Sequence, residues 1–107
     1  MARVETVGTT GDIEPGDMKK VEVGGKQVLL VNLDGELAAV SAECTHAGGP
    51  LEEGFLENGE IECPWHFGRF DLKTGGVTAA PPILPLPRYK VWIRGDEVLV
   101  DVGETVS

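Results

Sequence analysis

Glycine, proline and the turn-forming residues Asn and Asp interrupt this chain so often that no stretch between them suits a helix of ordinary length. The segments between these breaks are short and apolar with a period of two, the alternation of antiparallel β structure. Tyr89, Val91 and Ile93 alternate with Lys90, Trp92 and Arg94; Gly95-Asp96 then reverses the chain, and Val98, Val100 and Val102 resume the inward face. That pattern predicts a hairpin. A second hairpin is expected from residues 27–32 and 37–41 around Asp34-Gly35, because the Asp-Gly pair accepts the positive φ of a tight turn. Shorter strands are expected at 4–6, 18–23, 61–63 and 69–72. Together they predict one all-β domain over residues 1–107, an antiparallel sandwich or partly open barrel.

The middle of the chain has a different composition. Residues 44–60 contain Ala47-Gly48-Gly49-Pro50 and Asn58-Gly59, and residues 74–87 contain two glycines and four prolines. These stretches are expected to be loops, one of them with a short helical turn. Loops on a rigid sheet are where sites are commonly built, so residues 44–82 are expected to form a functional subdomain carried by the outer strands.

Eighteen acidic against nine basic residues give a formal charge of −9. Such a surface repels nucleic acid and anionic lipid and attracts a basic protein face. The first residues contain no apolar core of a signal peptide, and the longest aliphatic run is Val28-Leu29-Leu30-Val31, too short to span a bilayer. The expectation is a cytoplasmic protein with neither membrane nor nucleic-acid partner. Two cysteines in such a chain argue against a disulfide framework.

Every Cys and His in the chain lies in one of two clusters, Cys44-Thr45-His46 and Cys63-Pro64-Trp65-His66. Each places Cys first and His one or two residues behind it, which points to a metal site of two thiolates and two imidazoles. The sixteen residues between His46 and Cys63 can run out and return, with Asn58-Gly59 as the turn, so the two loops can clamp one centre. A mononuclear zinc site is the competing structure. Such sites usually pair cysteine with cysteine and histidine with histidine, whereas these pairs are mixed.

The pattern C-x-H…C-x2-H, with Cys63-Pro64-Trp65-His66-Phe67-Gly68-Arg69-Phe70-Asp71 and Thr74-Gly75, resembles the Rieske family. Within it, the chain is similar to the ferredoxins of bacterial aromatic-ring dioxygenase systems. The resemblance implies one Rieske 2Fe-2S cluster, with Cys44 and Cys63 on the inner iron and His46 and His66 on the outer. It implies an electron carrier with no catalysis of its own, moving single electrons from an NAD(P)H-dependent flavin reductase to a terminal oxygenase. A small subunit of an assimilatory nitrite reductase, or a cluster domain of another oxidoreductase, would share the same pattern; a zinc-stapled interaction module is the alternative without redox activity.

Respiratory Rieske proteins carry one further cysteine in each loop, joined as a disulfide. By the resemblance those positions hold Gly49 and Trp65 here, while Gly68 and Phe70 stand where the respiratory proteins have hydroxyl donors to sulfur. Fewer donors stabilise the reduced cluster less, so a potential toward the low end of the Rieske range is expected. Trp65 is expected either to shield the cluster and meet a partner or to cap the core, and Pro81-Pro82 to cover the cluster. Gly48, Gly49, Gly68 and Gly75 supply close approach or positive φ. Phe55, Leu56, Phe67 and Phe70 are expected to pack as an apolar floor, and Arg69 and Lys73 to be plain solvated charges.

Overall fold

A computed structural model of the chain describes residues 4–45, 48–65, 67–80 and 84–106. Among these residues ten strands form two antiparallel sheets. They are β1 (Val4–Thr9), β2 (Met18–Val23), β3 (Lys26–Leu33), β4 (Glu36–Ser41), β5 (Phe55–Glu57), β6 (Glu60–Glu62), β7 (Arg69–Asp71), β8 (Val77–Ala79), β9 (Arg88–Arg94) and β10 (Glu97–Val106). The larger sheet has the order β1-β10-β9-β4-β3-β2, and the smaller has the order β5-β6-β7-β8.

The larger sheet curls until its edge strands approach, and the Gly24 N–H donates to Glu5 Oε2 at 2.8 Å across that gap. A partly open barrel results, as the alternation predicted. Both expected hairpins form, with Asp34 at φ 56° and Gly35 at φ 100° in one turn and Gly95 at φ 66° in the other. The inward face of β10 is Val98, Val100 and Val102, all buried, but Ile93 on β9 is half exposed, because β9 pairs with β4 only at Tyr89 and Arg88 and splays away beyond them.

Strand β3 explains why Val28-Leu29-Leu30-Val31 is an unbroken aliphatic run. Val28 and Leu30 point into the barrel with Val23, Ala39 and Val100. Leu29 and Val31 point the other way, into a second core with Leu51, Ile61, Phe70 and Leu72. A strand covered on both faces has no polar side to alternate with. The smaller sheet is thereby seated on β3 and β4, and its inner row Leu56, Ile61, Phe70 and Val77 fills the joint.

Asn32 is the buried polar residue at the end of β3. Its Nδ2 donates to the Ile13 carbonyl at 2.8 Å, and its Oδ1 accepts the Gly35 N–H at 2.6 Å. Asn32→Ala strands both partners, and a loss of about 1–3 kcal/mol in urea unfolding is expected; an unchanged midpoint would show that water replaces both bonds.

Two strands lie where loops were expected. β5 and β8 are three residues each, flanked by Gly54, Gly75 and Gly76, too short to display a period. The short helical turn is the 3₁₀ segment Leu51–Glu53, whose Leu51 is fully buried.

Candidate metal centre

Strand β6 ends at Glu62 and β7 begins at Arg69, and the pair Glu62↔Arg69 closes the ladder just before Cys63 leaves it. The Cys63 N–H donates to the Gly68 carbonyl at 2.7 Å, so the second loop is pinched at its base. The first loop is built the same way. The Cys44 N–H donates to the Gly49 carbonyl at 2.8 Å, the Gly48 N–H donates to the Cys44 carbonyl at 3.1 Å, and Gly48 has φ 70°. The second loop therefore projects from one end of the small sheet and the first from the end of β4, closed by the Glu43↔Pro50 bridge, with both cysteines in the core between sheet and barrel.

Cys44 and Cys63 carry buried thiols in the same apolar core, Cys63 with no exposed surface at all. The loops also meet directly. A Cβ on Gly49 would lie 2.5 Å from Cys63 Sγ and 3.4 Å from the Trp65 Cβ, so the first loop passes against the sulfur of the second with no room for a side chain. The backbone N–H of Trp65 donates to Cys63 Sγ at 3.4 Å. Two sulfurs held in a dry joint at the roots of adjoining loops fit a thiolate-bound metal centre. His46, His66, Pro81 and Pro82 lie outside the described residues.

The supporting residues divide. Phe70 is fully buried beneath the loops, as expected of the floor. Phe55 and Phe67 are not part of it: they are 62% and 63% exposed, Phe55 because it lies on the outer row of edge strand β5 with Glu57, Phe67 because the second loop turns it outward. Trp65 is 48% exposed and so does not cap the core. Arg69 is not simply solvated, since its guanidinium lies 3.5 Å from Glu57 and 3.4 Å from Glu60 along the outer row of the small sheet. Lys73 stands past β7 in the turn to β8, at the end opposite the cysteines.

Two features had no sequence signal. Thr45 Oγ1 donates to the Leu84 carbonyl at 2.8 Å, tying the first loop to the segment 39 residues on, and Leu84 itself is 61% exposed. Phe67 has φ 61°, a left-handed conformation that costs a residue with a Cβ about 1–2 kcal/mol.

The family model for the Rieske [2Fe-2S] domain matches residues 4–90. The chain belongs to the Rieske family. It is 39% identical over 99 residues to the ferredoxin component of biphenyl 2,3-dioxygenase from Rhodococcus jostii (strain RHA1), covering 92% of each chain. Among solved Rieske structures, the ferredoxin of carbazole 1,9a-dioxygenase from Nocardioides aromaticivorans IC177 superposes with a TM-score of 0.88 at 37% identity, over 94% of this chain and 98% of that one. A complex of reduced oxygenase and oxidized ferredoxin in carbazole 1,9a-dioxygenase contains a chain matched with a TM-score of 0.91 at 30% identity, over 100% and 99% of the two chains. No helix among the described residues is long and apolar enough to cross a membrane.

Proposed function

We propose that this chain is the ferredoxin of a multicomponent aromatic-ring dioxygenase system. It accepts single electrons from an NAD(P)H-dependent flavin reductase and delivers them to a terminal oxygenase. The observation that carries this reading is the pair of buried sulfurs at the roots of two abutting loops, in a chain similar over 92% of its length to a dioxygenase ferredoxin. Cys44 and Cys63 bind the inner iron of one Rieske 2Fe-2S cluster, and His46 and His66 bind the outer. The whole chain, residues 1–107, acts as one cytoplasmic domain with its cluster loops at about 44–82.

The cluster supplies a site that takes up and returns one electron. The protein's part is to hold that site rigidly and keep water from its inner side. The apolar joint of Leu51, Ile61 and Phe70 excludes water, the indole of Trp65 lies over Gly49, and the Trp65 N–H donates to a ligand sulfur. Neither Gly68 nor Phe70 has a hydroxyl to add a further donor, which supports a midpoint on the order of −150 mV.

The test is metal analysis, EPR and redox titration of anaerobically purified protein. Expected are two irons per chain, no zinc, a rhombic signal on dithionite reduction and a negative midpoint. A colourless, zinc-loaded protein overturns the reading, and a clearly positive midpoint at neutral pH overturns its low-potential part. Reduction by a flavin reductase with NADH, followed by reoxidation by a ring-hydroxylating oxygenase, completes the assignment.

A further inference from the structure

Three residues other than glycine have positive φ among those described: Asp34, Asn58 and Phe67. Asp34 and Asn58 precede glycines in hairpin turns and belong to the residue types that tolerate this conformation through their short polar side chains. Phe67 has no such side chain. Burial does not offset the strain either, because the residue is 63% exposed, the largest exposure of any bulky apolar residue among those described. A glycine there would satisfy the backbone and present less apolar surface to water. An exposed aromatic ring on a strained backbone is costly for the free protein, and such strain gathers at functional positions.

The position of the ring indicates its use. Phe67 directly follows His66, Trp65 directly precedes it, and the exposed Leu84 is tied through its carbonyl to Thr45 in the other cluster loop. Two exposed aromatic residues thus flank His66 in the sequence of one cluster loop, and an exposed leucine is bonded to the other loop, on a chain of charge −9.

We propose, resting on the ferredoxin reading above, that Phe67 is the docking anchor for the terminal oxygenase: its ring enters an apolar recess beside the acceptor centre, within a rim of basic residues that the acidic surface meets. The oxygenase is the occupant because the whole of this chain superposes on the ferredoxin chain of an oxygenase complex. The step served moves one electron from this protein, which is oxidised, to the acceptor, which is reduced, with no bond made or broken. Aromatic anchors in recesses dominate interface energetics, whereas rim charges mainly set encounter rates.

The experiment mixes reduced, cluster-loaded Phe67→Gly and Phe67→Asn proteins with oxidised oxygenase in stopped flow. Both substitutions suit the left-handed backbone and remove the ring. Expected are unchanged iron content, EPR signal and midpoint, a melting temperature no lower than that of the parent, and a half-saturating concentration raised at least about tenfold with a limiting rate within about twofold. Phe67→Tyr, which retains the ring, is expected to stay near the parent. Loss of cluster or of melting temperature in both variants makes the ring structural and overturns the proposal, as does an unchanged half-saturating concentration. A larger defect in reduction by the flavin reductase assigns the ring to the other partner and overturns it too. Failure of the parent protein to reduce the oxygenase at all strikes the ferredoxin reading itself, and the anchor with it.

Discussion

Cys63→Ser is expected to yield a folded, colourless protein with iron content reduced at least about tenfold and no rhombic EPR signal. A ligand's removal must cost more than loss of an outer hydrogen bond to a metal site, which already lowers affinity about 10–100-fold. Cys63 is fully buried, so no exposed substitute can take its place, and water reaches the position only if the joint opens. A serine hydroxyl binds iron poorly at neutral pH because it is hard to deprotonate, and it lacks the softness that suits thiolate to iron–sulfur centres. The barrel core of Val28, Leu30, Ala39, Val98 and Val100 is separate from the joint, so β circular dichroism is expected to persist while the melting temperature falls. The same result is expected for Cys44→Ser. Full iron content in either variant, with the parent EPR signal, would remove that sulfur from the centre.

Gly49→Ala tests the abutment of the loops. A methyl group at this position would meet Cys63 Sγ at a separation real Cβ atoms essentially never show, and Trp65 stands on the same side at 3.4 Å. Cys63 cannot swing away, because its own N–H is bonded to Gly68 and its side chain is packed in the core. The loops must therefore part, and iron content at least about tenfold below the parent is expected when protein is reconstituted at equal iron and sulfide. Gly59→Ala is the control. It has open space around the added methyl but φ 77°, so it should lose about 1 kcal/mol of stability and keep its cluster. Equal iron content in Gly49→Ala and the parent would show that the loops have slack.

Much of this molecule could be read from local residue order. A tight turn depends on a few dihedrals, so Asp34-Gly35 and Gly95-Asp96 announced their hairpins and the period of two announced the faces. The mixed Cys-His pairs were legible for a similar reason, since ligand type and spacing are properties of the chain itself. Strands β5 and β8 were not legible, because three residues between glycines carry no period and exist only where β6 and β7 offer a ladder. Phe55 and Phe67 read as core because a phenylalanine in a sequence is more often buried than not. Phe55 is left outside by its row on an edge strand, and Phe67 by a left-handed residue inside the loop that the bond from Cys63 to Gly68 closes.

Local chemistry thus settled that the chain is all-β, where its main turns lie, and which side chains are fit to hold metal. Which face of each strand is covered, that Leu29 and Val31 serve a different core from Val28 and Leu30, and that Gly49 must lack a side chain to let Cys63 pass were decided by packing. Turns and ligands are specified over a few neighbouring residues. Burial and close approach depend on segments distant in the chain and come into being only when those segments meet.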